Sequence, residues 1–288
     1  MYDVIIIGAG PAGVSASLYT QRANLKTLII YSNIEKSSLE KTNKISNYYG
    51  FENGIKGKEL YENGIMQAKN LGVEVLEEEI TDIKYEDNQF VIQALKTEFC
   101  SKTLILSTGN KKNKVNIKGI EQFEGRGISY CAICDGFFFR NKNVAIIGNG
   151  SYAISEARNL KNIVKSVKIL TNGKDMPEYR AENIDIIEKE IEEIRGENRV
   201  EEIDFKDNSK IKIDGIFVAQ GVAGSTEFAR KIGAKIKDSK IVVNENMETN
   251  IKGLYACGDC IGGLYQISKA VYDGTKAGLQ VIDYLKSF

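Results

Sequence analysis

Cys131 and Cys134 are separated by two residues, and Asp135 follows at once. Such a pair closes a small ring as a disulfide and opens it as a dithiol, so it holds or releases two electrons. Zinc sites and haem attachment also use short cysteine spacings. Zinc usually takes four ligands, and the other close pair, Cys257 and Cys260, lies far along the chain. Haem attachment places a His after the second Cys, and this chain has no His. Redox work is the chemistry left, and what flanks the pair decides its partner.

The flanking sequence carries a second kind of chemistry. Apart from Asp3, residues 2–7 are apolar and mostly isoleucine and valine, as a strand buried on both faces is. They lead into Gly8-Ala9-Gly10-Pro11-Ala12-Gly13, a helical stretch to about residue 24, and a second strand over 25–31. Gly-x-Gly-x-x-Gly between a strand and a helix marks a dinucleotide site. The glycines permit the tight turn and the approach of a pyrophosphate, whose charge sits at the helix N-terminus. The acid that usually ends the second strand and holds ribose hydroxyls is replaced by Tyr31-Ser32, with Glu35 slightly beyond.

The pattern then recurs: a strand at 143–147, the turn Gly148-Asn149-Gly150-Ser151-Tyr152-Ala153, a helix to about 162 and a strand at 167–170. This duplication predicts an α/β protein of two Rossmann-like, three-layer nucleotide-binding domains. The second copy reads as scaffold. Tyr152 brings a bulky ring onto the turn. Its strand ends in Thr171-Asn172-Gly173, without the acid that selects NAD or arginines for the extra phosphate of NADP.

Between the copies the pattern predicts a polar loop over 33–60, a helix at 58–71, short strands at 73–76, 80–85 and 90–94, and a buried strand at 103–107. Lys111, Lys112, Lys114 and Lys118 form a basic connection that marks a domain boundary. Beyond 170, an acidic helix is expected at 188–195, strands at 203–205, 213–218 and 254–257, and a closing helix at 266–285. The domains are therefore expected at 1–112 with 243–288, and at 113–242 inserted between them.

Lys plus Arg and Asp plus Glu number 39 each in 288 residues, which points to neither nucleic acid nor a membrane surface. The apolar runs are strand-sized, and the first strand leaves no room for a signal peptide. Five cysteines in such a chain suggest a reducing, cytoplasmic setting and catalytic use of the thiols. Cys100 reads as a core residue at a strand edge.

Together these features resemble the low-molecular-weight thioredoxin reductases, FAD-containing disulfide reductases, along essentially the whole chain. The resemblance rests on Gly8–Gly13, Asn47 in Asn-Tyr-Tyr-Gly-Phe, Ser107-Thr108-Gly109, Cys-Ala-Ile-Cys-Asp-Gly at 131–136, and Gly258-Asp259 followed by Gln266. It implies a homodimer with FAD in the domain built from both chain ends. Gly8, Gly10, Pro11, Ala12 and Gly13 would hold the pyrophosphate, and Asp259 after Gly258 the ribityl chain. Asn47, Gln266 and Ile267 would lie near the isoalloxazine, with further contacts at Tyr31, Ile80, Thr108 and Gly109. By the same resemblance Cys134 is the flavin-side sulfur and Cys131 attacks thioredoxin. Each sulfur needs a proton donor, and without His the expected general acid is Asp135, its pKa raised by burial.

The departures from that family concern the electron donor. Nicotinamide-dependent members carry His-Arg-Arg after the second unit's second strand, where this chain has Thr171-Asn172-Gly173, and only Arg180 could correspond to a later arginine. The Arg-Gln near the flavin is Tyr265-Gln266. Charged hydrogen bonds contribute roughly 1.5–3 kcal/mol each, so their loss weakens NADPH binding by orders of magnitude. The pattern looks like the ferredoxin-dependent flavin thioredoxin reductases, which makes reduced ferredoxin the expected donor and Lys111, Lys112 and Lys114 its landing patch. Three alternatives stay open: an NAD(P)H-dependent reductase with unorthodox contacts, an oxygen-using dithiol oxidase, and a non-catalytic redox-sensing flavoprotein. Whether Cys257 and Cys260 form a second redox pair is also open.

Overall fold

The computed structural model describes residues 1–32, 39, 42–109, 115–176, 184–221 and 223–287. The basic connection at Lys111, Lys112 and Lys114, and Arg180 and Glu35, lie outside them. The chain divides into two compact units, Met1–Lys111 with Gly224–Phe288, and Lys112–Ala223.

The first unit opens with β1 (Tyr2–Ile7), α1 (Pro11–Arg22) and β2 (Thr27–Tyr31). Then come α2 (Gly57–Asn70), β3 (Glu74–Glu77), β4 (Ile80–Glu86), β5 (Gln89–Ala94) and β6 (Glu98–Leu106). β3, β2, β1 and β6 run parallel side by side, with Ile7 level with both Ile30 and Leu106. Val4, Ile6, Ile29 and Ile105 are fully buried, and burial of each such side chain contributes about 1.5–3 kcal/mol. β4 and β5 continue the sheet antiparallel from the early part of β6. Cys100 lies there, opposite Val91 and half-buried, so it is neither a core residue nor at the sheet edge.

The second unit begins with β7 (Ile128–Ser129), the one-turn helix α3 (Ala132–Asp135), and β8 (Asn143–Ile147), α4 (Ser151–Lys161) and β9 (Ser166–Leu170). It continues with β10 (Asp185–Ile187), β11 (Ile191–Arg195), β12 (Glu202–Phe205), β13 (Lys210–Lys212) and β14 (Gly215–Val218). β10, β9, β8, β14 and β7 form a parallel sheet, and β11, β12 and β13 an antiparallel one. The helix expected at 188–195 is therefore a strand over its second half. Ile191 and Ile194 are both buried at a helix-like spacing of three. A β-bulge between Ile191 and Glu193 shifts the alternation by one, so both still reach the core.

The chain re-enters the first unit at Gly224, earlier than the expected 243. α5 (Ser225–Lys231) and the hairpin of β15 (Ile236–Lys237) and β16 (Lys240–Ile241) precede β17 (Leu254–Ala256) and α6 (Ile267–Lys286). α5 is tied to the first unit by the hydrogen bonds of Ser225 with Thr108 and by an ion pair at 3.1 Å between Lys231, its side chain 1% exposed, and Asp82 on β4. β17 pairs in parallel with the end of β6, and α6 packs on α1. A Cβ at Gly274 would lie 2.0 Å from the Ala12 carbonyl oxygen, so the two helices touch backbone to backbone as only glycine allows. Among the described residues no helix is long and apolar enough to cross a membrane.

Candidate active site

The first unit gathers its loops at the C-terminal ends of parallel strands, where open α/β sheets bind ligands. Gly8, Ser107 and Cys257 each directly follow a strand of one parallel set, and Tyr31 ends a fourth strand of it. The Gly8 N–H donates to the Ile30 carbonyl at 2.8 Å, while Ser107 Oγ lies 2.9 Å from the Ile7 and 3.1 Å from the Gly8 carbonyl oxygen. A Cβ on Gly13 would lie 1.9 Å from Gly8 O, so helix and turn could not close with any larger residue. Gly10 differs: a Cβ there would meet nothing within 4 Å. The protein itself does not require that glycine, but a closely approaching pyrophosphate does. Pro11 opens α1, whose first turn carries no acid and no side-chain cap, leaving the helix N-terminus suited to an anion.

The other expected contacts distribute as follows. Thr108 is bound at both its N–H and its Oγ1 to Ser225 Oγ, each at 2.9 Å, and Gly109, at φ 77°, faces open space. Asn47 Nδ2 donates to Gln266 Oε1 at 3.1 Å, bringing the 47–51 loop to the start of α6, where Ile267 is the first helical residue. The Gly258 N–H donates to Asp273 Oδ2 at 3.1 Å. Lys269 pairs with Asp273 at 2.7 Å and donates to the carbonyls of Gly258 and Gly262 at 3.1 and 2.6 Å. This part-buried pair fixes the turn that carries Asp259. Burial pushes the Asp259 carboxyl up, against the lowering effect of Lys269 and Lys240. Ile80 is buried at the start of β4, and the Tyr31 hydroxyl donates to Glu77 Oε2 at 3.3 Å. Among the described residues, no side-chain hydrogen bond joins Tyr31 or Ile80 to the glycine turn.

The remaining cysteines form no disulfide in this structure. Cys257 and Cys260 are free and buried, and Cys260 Sγ points to the carbonyls of Cys257 and Leu106 at 3.3 and 3.4 Å. Burial pushes the Cys260 thiol up to about 12 and raises Cys257 as well.

In the second unit Cys131 and Cys134 form a disulfide, S–S 2.07 Å and Cα–Cα 5.4 Å. Cys131 caps α3, its Sγ accepting the Cys134 N–H at 3.2 Å. Cys131 is 2% exposed, whereas Cys134 faces solvent. Ser129 Oγ donates to Asp135 Oδ2 at 2.6 Å and accepts the Cys131 N–H at 3.1 Å. Asp135 is only half-buried. Beside the pair stand three exposed apolar side chains, Ile133, Phe137 and Phe138.

Tyr152 does not lie across the second glycine turn as expected. Its ring is buried, with the hydroxyl 3.5 Å from the carbonyl oxygen of Tyr130. After β9, Thr171 is buried and Asn172 Oδ1 accepts the Ile191 N–H at 2.7 Å, folding the loop back onto β11. The described part of that loop, 171–176, holds one cation, Lys174, and no arginine. Sequence reading missed Ser129, Ser225, Lys240, Lys269 and Asp273. Only the i,i+4 spacing of Lys269 and Asp273 signalled a pair.

Residues 2–274 match the family described as pyridine nucleotide-disulphide oxidoreductase. The thioredoxin reductase of Bacillus subtilis (strain 168) is 33% identical over 302 residues, covering 99% of this chain and 95% of that one. The atypical thioredoxin reductase TRi from Desulfovibrio vulgaris Hildenborough is similar at a TM-score of 0.93 and 34% identity, over 100% of this chain and 99% of that chain. A ferredoxin-flavin thioredoxin reductase from Clostridium acetobutylicum is similar at a TM-score of 0.71 and 33% identity, with the same coverage.

Proposed function

The chain belongs to the pyridine nucleotide-disulphide oxidoreductase family, and we propose that it is a thioredoxin reductase, a homodimer, fed by reduced ferredoxin rather than by a nicotinamide nucleotide. Thioredoxin reductases of this family are FAD-binding flavoproteins, and FAD is the cofactor. Bound FAD supplies the means to collect single electrons and pass them on as a pair. The open face of Gly10 and the uncapped start of α1 fit its pyrophosphate. Gly8, Pro11, Ala12 and Gly13 shape that turn, Gly258 and Asp259 hold the ribityl chain, and Asn47, Gln266 and Ile267 border the ring. Tyr31, Ile80, Thr108 and Gly109 complete the set.

The observation that carries the choice of donor is the loop after β9. A 2′-phosphate of NADP needs a fork of arginines, and here the described part of the loop, 171–176, is turned back by Asn172 and bears one cation, Lys174, with no arginine. An acidic ferredoxin needs a basic landing patch, and Lys111, Lys112 and Lys114 supply one.

The chemistry at the disulfide balances as follows. Two electrons and two protons cleave the Cys131–Cys134 bond to two thiols. The Cys131 thiolate attacks the thioredoxin disulfide, giving a mixed disulfide and one freed thioredoxin sulfur. Cys134 then attacks Cys131 Sγ, re-forming the S–S bond and releasing thioredoxin as a dithiol. Asp135 handles the proton at the sulfurs, oriented by Ser129. Because Cys131 is buried, its surroundings must open before attack, and Ile133, Phe137 and Phe138 offer thioredoxin an apolar landing beside it.

The test is turnover with reduced ferredoxin as sole donor, scored by thiols formed on thioredoxin. Thioredoxin should be reduced by the wild type and left oxidised by Cys134→Ser. A wild-type rate equal to the enzyme-free rate would sink the proposal.

A further inference from the structure

The helix of the second nucleotide-binding unit, α4, grips the redox turn at three points along one face. Tyr152, Glu156 and Leu160 are spaced four residues apart, so they stand in line on that face. All three are at most 1% exposed. The Tyr152 hydroxyl lies 3.5 Å from the carbonyl oxygen of Tyr130, the residue before Cys131. Glu156 Oε2 accepts the N–H of Ala132, the residue after Cys131, at 2.8 Å. Leu160 fills the space at Gly136, where a Cβ would lie 2.8 Å from Leu160 Cδ2.

We propose that Glu156 is a positioning residue of the redox pair: it fixes the backbone at Cys131 and withholds the Ala132 amide from the thiolates that reduction creates. This inference deepens the disulfide-reductase reading and rests on it. Thiolates in Cys-x-x-Cys pairs are stabilised by nearby backbone N–H groups and positive charge, and a pair whose reduced form is stabilised becomes more oxidising. Here the first amide of α3, on the residue after Cys131, is committed to the Glu156 carboxylate. Asp135 on α3 and Glu156 on α4 both hydrogen-bond to this turn, and the Gly136–Phe139 segment carries no charge. Both features disfavour thiolate and keep the pair reducing, which suits an electron donor. The duplicated unit thus contributes a backing helix to the disulfide, whatever its nucleotide site does.

The test is the equilibrium 2 thiol ⇌ disulfide of Cys131 and Cys134 in the FAD-loaded full chain. It is set with a dithiothreitol buffer and scored by alkylation and mass at about pH 9, above the usual thiol pKa of ~8.5. Glu156→Gln keeps a carbonyl acceptor for Ala132 and removes the acid, so it is the variant least prone to misfold. It should shift the equilibrium several-fold toward the dithiol. Glu156→Ala, which also frees the amide, should shift it further, up to about tenfold, or ~30 mV for a two-electron couple. An equilibrium unchanged in Glu156→Gln overturns the proposal, even if its melting temperature falls, because a packing role alone leaves the couple where it was. Neither thioredoxin nor ferredoxin enters the measurement, so failure of the donor or substrate assignment is told apart from failure here.

Discussion

Ser129 Oγ lies between two partners, the Asp135 carboxylate at 2.6 Å and the Cys131 N–H at 3.1 Å, so one hydroxyl orients the acid proposed to serve the sulfurs. Proton transfer by a positioned side chain contributes about 10²–10⁴-fold. Asp135→Asn should therefore lower kcat for thioredoxin by about that factor with KM little changed, and Ser129→Ala by less. Equal rates in Asp135→Asn and wild type would remove Asp135 from the mechanism. The buried thiols give a pH prediction. Cys260 is raised to about 12 and Cys257 is raised too, so the folded state keeps protons that the unfolded chain loses above an ordinary thiol pKa of about 8.5. Their stabilising effect is complete below that value and is lost as pH rises toward 12, by up to about 1.4 kcal/mol per pH unit per thiol. Urea unfolding should show a shallower alkaline decline for Cys257→Ala/Cys260→Ala than for wild type; parallel declines would refute the assignment. Residues whose role is local spacing were legible in the sequence: the cysteine pair, Asp135, the glycines. Glu156, Lys269 and Asp273 were not, because a charged residue buried against another element looks in sequence like one on a helix surface.

The first turn of α1 shows how one motif contains glycines of two kinds. Gly13 is required by the fold, its Cβ position being 1.9 Å from Gly8 O, while Gly10 is open. Gly13→Ala should destabilise the apoprotein by about 1–3 kcal/mol or more, as overpacking does. Gly10→Ala should leave the apoprotein's melting temperature unchanged and weaken FAD binding at least about tenfold, read from flavin fluorescence on titration; undiminished affinity would mean that the pyrophosphate does not lie there. Both strand–turn–helix units were legible because period and turn chemistry agree over a short stretch. The strand β11 was not, since its bulge gives buried Ile191 and Ile194 the spacing of a helix face. α5 and the β15–β16 hairpin are too short to produce a period, and α5 is held by the distant Thr108 and Asp82.

At the scale of the whole molecule, the duplication was legible in sequence as a repeat of the glycine turn. The point of return at Gly224 was not, because the Lys231–Asp82 ion pair and the Thr108–Ser225 hydrogen bonds that define it join residues far apart in the chain. Partner recognition also belongs to this scale. Phe137 and Phe138 are 69% and 71% exposed beside the disulfide, more apolar surface than a turn needs. Phe137→Ser/Phe138→Ser should raise KM for thioredoxin about tenfold or more while leaving reduction of a small disulfide reagent unchanged; a parallel loss on both substrates would show damage to the redox centre instead. The donor assignment is the central claim, and anaerobic absorbance of the bound flavin tests it most directly, with NADPH, NADH and reduced ferredoxin offered in parallel. Ferredoxin alone should bleach the flavin and then open the Cys131–Cys134 disulfide. Bleaching by NADPH or NADH within seconds would contradict the assignment, and would make the loop at Thr171, Asn172 and Gly173 part of a working nucleotide site.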